Sequence, residues 1–421
     1  LVANSAAPKK SQNGLRHILV ATVIAGAIGY SIQFLVPVFA PHSYLTFATT
    51  WSAIYLVVTC LSGIQQELTR ASRDGAEGGS SWRKWALFTI IGALGATAVV
   101  GLVFTVSGPR IFPTDTGSIV GAIALAAFGY SLVAAVSGAL YGIKDWPAVA
   151  GMTIGDSVIR AVAIAVALLA GGAAAALGWA IAVPFVLTAL AIWSWVGRRI
   201  RARLTLDVSL PRLIGNSAAT LLASLATGAL ISGLPLLLQA FASDAGAGLL
   251  GSLILVLTLT RAPLVVPLLA LQGYLVVSFR DRPGGTTSGV LRWVAMVMLT
   301  VVALSLLAAL LGPPLMELLF ADFAPVSALD FALVVLSAGL TGVMCITGPA
   351  VLAANRHSWY TAGWVVSAVV TIAALMLPFD AHARILVALL VGPLAGALIH
   401  VSALRGQTDA LSFAETKPNL S

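Results

Sequence analysis

What this sequence has least of is charge. Only 9% of its 421 residues are Asp, Glu, Lys or Arg, against roughly 25% in ordinary soluble domains. A chain that is 59% hydrophobic, with a mean hydropathy of +1.00, cannot cover a globular surface with water-loving side chains, so soluble classes are excluded. Acids are scarcer than bases, 15 against 23, giving a net charge of +8. That excess would suit nucleic acid if it formed one patch. It lies instead in short links between apolar runs, and a nucleic-acid partner is excluded. Cysteine is nearly absent. Cys60 and Cys345 both fall inside apolar runs, are expected to be small core residues, and say little about redox compartment. The five histidines, His17, His42, His357, His382 and His400, read as lying at helix ends or in short loops without metal-ligand spacing, so no metal is expected. No P-loop interrupts the polar links, and no catalytic set is visible. The outside loops, the largest near 312–327, are too short for the acid- or histidine-bearing loop of a membrane glycosyltransferase. The chain is therefore read as a transporter rather than an enzyme, without a cofactor and with coupling to H⁺ or Na⁺ left open.

What is present is long apolar runs. A bilayer core of roughly 30 Å takes about 20 helical residues, and twelve such runs are found near 15–40, 45–66, 85–107, 118–142, 148–170, 174–197, 212–241, 248–279, 290–311, 328–354, 359–378 and 384–404. The first is too long for a signal peptide. The chain begins at Leu1 rather than Met, so a trimmed or recoded start is expected. With the N-terminus inside, the inner segments hold all the cations except Arg110, Arg160, Arg261 and Arg384, as the positive-inside rule asks. Trp82, Trp85, Trp146, Trp193, Trp195, Trp293 and Trp359 cluster near the same boundary, as interfacial aromatics do. The expected organisation is a disordered cytoplasmic segment 1–14, a first lobe 15–197, a cytoplasmic linker 198–211, a second lobe 212–404 and a cytoplasmic tail 405–421. Two weak internal matches support a parallel repeat. LVVTCLSGIQ at 56–65 resembles LVVPLLALQG at 264–273, and GALYGIKDW at 138–146 resembles AVLAANRHSW at 350–359. The fold class read from this is all-α: a polytopic membrane protein of about twelve transmembrane helices in two six-helix lobes around a central cavity.

The interior polar inventory is short. Arg261 lies mid-run with Pro263 and Pro267 just after it, and an ionisable group at that depth is a functional-site hypothesis. Each proline frees a carbonyl that must face protein or a wet cavity. Asp156 and Arg160, four apart on one helix face, read either as a self-neutralised packing pair or as a titrating acid that controls a substrate-binding arginine. Gln33, Gln66, Gln239 and Gln272 are further candidate substrate contacts, and Arg70 extends positive charge toward the inner mouth. The sum over Asp156, Arg160 and Arg261 is positive. A positive cleft suits phosphate or pyrophosphate, which the planar fork of arginine holds well. Gly233 and Pro235 mark a bend in the seventh run, expected with Pro263 and Pro267 to serve gating.

Three stretches carry a family likeness: the Leu319–Phe320–Ala321–Asp322–Phe323 turn before an Ala-rich helix, the VLAANRHSW segment with Asn355 and Arg356, and GIQQELTRASRD at 63–74. Together they resemble the multidrug/oligosaccharidyl-lipid/polysaccharide (MOP) exporter superfamily, nearest its Wzx-type polysaccharide flippases, over about 15–405. The resemblance implies two six-helix lobes and a cationic cavity lined by helices 1, 2, 7 and 8. It also implies movement of a polyprenyl-linked glycan or glycolipid from the inner to the outer leaflet of the plasma membrane. Arg261 fits the cavity arginines of that family. Helix 1 departs from the pattern, with Gln33 and no interior arginine. Membrane lipids and other envelope-synthesis proteins are the expected partners, and the chain is expected to act as a monomer. The alternatives are a cation-coupled drug or metabolite exporter of the same superfamily, which needs an acid in the first helices, and a non-transporting scaffold of an envelope synthase.

Overall fold

The computed structural model describes residues 7–75, 81–280 and 286–415. Thirteen α-helices occur among them: α1 Ala7–Phe39, α2 Tyr44–Ala71, α3 Trp82–Ile111, α4 Thr116–Gly142, α5 Trp146–Leu169, α6 Ala174–Arg203, α7 Leu210–Ile231, α8 Leu234–Phe241, α9 Ala247–Arg280, α10 Thr286–Leu319, α11 Ala328–Ala353, α12 His357–Leu375 and α13 Ala381–Glu415. Eleven are long and apolar enough to cross a membrane, or twelve if α7 and α8 form one broken span. This is a multi-pass, all-α membrane protein. The twelve apolar runs of the sequence recur here, with the seventh split into α7 and α8. The expected disordered segment 1–14 falls partly outside the described residues, at 1–6, and its remainder is helical backbone in α1. Much of the tail likewise continues α13 to Glu415, and 416–421, with Lys417, lie outside the described residues, as does Arg282 in 281–285.

The chain forms two compact units, Leu1–Leu236 and Leu237–Ser421. In the first, α4 is central and buries a small-residue face, Ala122, Ala126, Ala127, Ala134 and Ala135, against α2, α3 and α6. Small residues let helix backbones approach closely where lipid gives no hydrophobic drive between helices. In the second unit α11 takes that central place against α9, α10 and α13. The further pairing of α5 with α6 matches that of α12 with α13. The internal repeat is thus written in packing as well as in sequence. It is also written in the backbone. Lys144 after α4 and Asn355 after α11 share φ 58, and in each case the next residue's N–H bonds a carbonyl five back: Asp145 to Leu140 at 2.9 Å, Arg356 to Val351 at 3.1 Å. That left-handed residue stops each helix at the same point.

Two features depart from the expected organisation. The helix α7, first of the second repeat, packs along α2, so contacts divide the chain after Leu236 rather than at 198–211. And residues of the two longest links pair as strands. Strand β1 (Ser72–Asp74) pairs antiparallel with β2 (Leu204–Leu206), Arg73 opposite Thr205. Its partners close around it: Arg203 Nε donates to Asp74 Oδ1 at 3.1 Å, Arg73 pairs with Asp207 at 3.3 Å, and Asp207 N–H bonds the Ala71 carbonyl at 3.0 Å. The segment 198–211 is therefore clasped to the first unit.

Candidate functional site

In the first unit the polar centre is built on α5 and α6. Arg160 is 2% exposed. Its Nη2 donates to Asp156 Oδ2 at 2.5 Å one turn earlier, its Nη1 donates to the Ile181 carbonyl, and its guanidinium lies 4.0 Å from the Phe185 ring centroid and 5.8 Å from that of Tyr55. Thr188 donates to the other Asp156 oxygen at 3.3 Å. Two of the guanidinium edges and one face are thus occupied by the protein. Asp156 and Arg160 are brought together as the i, i+4 spacing required, and α5 is tied to α6 by them.

At the far end of α2 lies a second cluster. Glu67 is 5% exposed and accepts Arg70 Nη2 at 2.6 Å, Arg70 Nε at 2.8 Å and Asn216 Nδ2 of α7 at 2.9 Å. Tyr55 and Arg70 are fifteen residues apart on one helix, about 22 Å at 1.5 Å per residue. Arg70 therefore does not join Arg160, and it is engaged with an acid. The apolar run of the sequence ends at Gln66, which places Glu67 outside an interior inventory drawn from hydropathy; the i, i+3 spacing of Glu67 and Arg70 is the signal that the helix continues. Gln66 beside it is exposed.

Between these clusters α2 meets α7 and the break that follows. Gly63 has no room for a side chain, since a Cβ would lie 2.8 Å from the Leu221 nitrogen. Ser52 Oγ donates to the Ser232 carbonyl at 2.6 Å and accepts the Leu236 N–H at 3.0 Å. One hydroxyl thereby satisfies a carbonyl and an N–H orphaned where α7 ends and α8 begins, a bend of 74°. The bend expected at Gly233 and Pro235 is there. Helix α9, by contrast, keeps helical backbone past Pro263 and Pro267.

In the second unit Arg261 is 6% exposed and turned toward α11, where its Nη2 donates to Thr341 Oγ1 at 3.0 Å. The partner shown on α11 is neutral, and Thr341 in turn donates to the Ser337 carbonyl at 3.2 Å. Gln272 is half-buried on α9, about 16 Å further along by helical rise. Gln239 is half-buried on α8. Gln33 is buried on α1, and its Oε1 has no hydrogen-bond partner among the described residues. Two further polar residues of this unit are buried. Asp330, 4% exposed, closes a capping box with Ser327 and accepts from His382 at 2.8 Å. His400, expected at a helix end, lies within α13, fully buried between Thr347 and the Tyr360 carbonyl, 3.1 Å from each. No group of three or more metal-ligating side chains occurs among the described residues.

These helices, units and repeat define a class. The chain superposes on an inward-facing multidrug resistance MATE family transporter of the MOP superfamily with a TM-score of 0.65, covering 94% of this chain and 96% of that one at 14% identity. It superposes on the lipid II flippase MurJ, in an inward closed conformation, with a TM-score of 0.64, covering 92% and 87% at 9% identity. The fold is the one these two transporters share. By sequence the chain is 30% identical over 396 residues to the uncharacterized protein Mb3654 of Mycobacterium bovis, covering 92% of this chain and 91% of that one. It is 30% identical over 399 residues, with the same coverages, to the uncharacterized protein Rv1510 of Mycobacterium tuberculosis. The chain belongs to the family of these mycobacterial proteins. No family model matches it.

Proposed function

We propose that this protein is a flippase. It moves a polyprenyl-phosphate-linked sugar or oligosaccharide from the inner to the outer leaflet by alternating access, for cell-envelope polysaccharide synthesis. In this reading it acts as a monomer in the plasma membrane, both termini cytoplasmic, alongside other envelope-synthesis proteins. The observation that carries the reading is a buried arginine in each unit of a fold shared with a lipid II flippase. Buried intramembrane charge is costly and is kept where it serves a pathway. Arg261, buried on α9 with a hydroxyl of α11 beside it, is the residue assigned to the phosphate, which a planar guanidinium holds in a charge-assisted contact. Arg160, locked to Asp156, serves the architecture of the first unit, and Gln33 Oε1 is an acceptor suited to a sugar hydroxyl. In proteoliposomes carrying a fluorescent polyprenyl-diphosphate sugar, Arg261→Ala is expected to abolish leaflet crossing while leaving insertion intact. Normal crossing by that variant removes Arg261 from the mechanism.

A second reading is favoured by Glu67. A buried acid on α2, linked to α7 through Asn216, is what a cation-coupled exporter of the superfamily needs. It predicts ΔpH-driven efflux of a cationic dye from proteoliposomes that Glu67→Gln eliminates. Dye efflux insensitive to that change sets this reading aside.

A further inference from the structure

The cations at the inner end of the first unit fall into two groups. Arg70, Arg73, Arg199 and Arg203 are each paired, with Glu67, Asp207, Asp145 and Asp74 respectively. Arg83, Arg198 and Arg201 are exposed and have no acid partner among the described residues. Arg201 is nonetheless held in place. Its guanidinium lies 5.3 Å from the Trp82 ring centroid and 5.2 Å from that of Trp193, and Trp193 stacks on buried Trp85 at 5.5 Å. An arginine between two indole faces keeps its planar donor edge fixed and outward.

The surfaces leading to this stack are lipid-facing. On α3, Leu87, Ile90 and Leu94 are 49%, 55% and 57% exposed, and Arg83 continues their stripe at the i−4 position. On α6, Leu187 and Leu190 are 46% and 60% exposed, and Arg198 and Arg201 lie on the same face at i+11 and i+14 from Leu187. Each apolar stripe thus ends in a cation, and Arg201 at the end of the second is held by Trp82 of α3 and Trp193 of α6. The chemistry that fits is a headgroup phosphate on the cations with acyl chains along the stripes.

We propose that the Trp82–Arg201–Trp193 stack, with Arg83 and Arg198, is a binding site for one anionic glycerophospholipid. The assignment is independent of what the protein transports. It is tested by native mass spectrometry of the full chain in detergent, titrated with phosphatidylglycerol or phosphatidylcholine. The first phosphatidylglycerol is expected to bind at least five-fold more tightly than the first phosphatidylcholine. Arg201→Ala removes that preference. Arg201→Lys, which keeps charge but loses the planar fork, removes most of it, and Arg198→Ala, an exposed change that leaves the stack alone, lowers it about two-fold. Arg292→Ala, an exposed cation of the second unit, leaves it unchanged. A full preference in Arg201→Lys, or an equal loss in Arg292→Ala, reduces the effect to general surface potential and overturns the site. Tighter binding there by an isoprenyl phosphate overturns the phospholipid assignment.

Discussion

At the residue scale the two buried arginines differ in their neighbours: Arg160 is paired with an acid on its own helix, and Arg261 donates to a hydroxyl of α11. Removing one partner of a buried ion pair leaves the other charge uncompensated and costs about 3–5 kcal/mol. Arg160→Ala is accordingly expected to lower unfolding stability in a denaturant titration by about 3 kcal/mol, near the low end because Asp156 keeps a side-chain exposure of 20%. Asp156→Asn combined with Arg160→Met should recover part of that loss, since it removes both charges together. If Arg160→Ala is instead as stable as the parent, the pair is not what joins α5 to α6. Thr341→Val, which leaves a buried guanidinium N–H without that hydroxyl, should lower unfolding stability by about 1–3 kcal/mol.

At the element scale the informative contacts are those that join distant parts of the chain. Ser52 serves the α7–α8 break from α2, so Ser52→Ala leaves a buried carbonyl and a buried N–H without their partner, at about 1–3 kcal/mol each. A fall of roughly 2–4 kcal/mol in unfolding stability is expected, and a change below 0.5 kcal/mol shows that other groups serve the break. The β1–β2 clasp gives a pH dependence. Hydrogen bonding from Arg203 holds the Asp74 carboxyl below its ordinary range. The folded state therefore binds that proton less readily than the unfolded chain, and the clasp gains stability above the ordinary aspartate range. It loses that gain as pH falls through the depressed value. Amide protection at 72–75 and 204–207, taken relative to the intrinsic exchange rate at each pH, should be steady from about pH 8 to 5 and fall below about pH 4, with Asp74→Asn showing the lower protection already at neutral pH.

These elements also mark how far the sequence could be read. Hydropathy placed the spans because each run of apolar residues is a local property, and the i, i+4 spacing of Asp156 and Arg160 made their pairing legible. The Lys144 and Asn355 turns were visible as a weak repeat because both halves stop a helix the same way. The clasp was not, because SRD and LTL have no strand character of their own and become strands only by meeting each other across 130 residues. His400 reads as lying at a helix end because its partner Thr347 is over 50 residues away in sequence. The docking of α7 on α2 rests on Gly63 and on hydroxyls at 52, 59 and 232, none of which differs from ordinary helix composition until the helices are brought together.

At the scale of the whole molecule the fold admits both a lipid substrate and a soluble one, since it is shared with a multidrug transporter and with a lipid II flippase. The decision then rests on which buried charge the substrate uses. A phosphate headgroup recruits Arg261 and makes no demand on Glu67, whereas a coupled cationic substrate recruits Glu67 and is repelled by Arg261. The lipid extract of the purified protein reads this directly. An isoprenoid carrying a sugar phosphate is expected to co-purify, to be lost from Arg261→Ala and to be retained by Glu67→Gln. The reverse pattern, retention in the first and loss in the second, would transfer the substrate site to the α2–α7 contact. An extract holding only bulk phospholipid in all three, with dye efflux that depends on Glu67, would replace the flippase by the exporter.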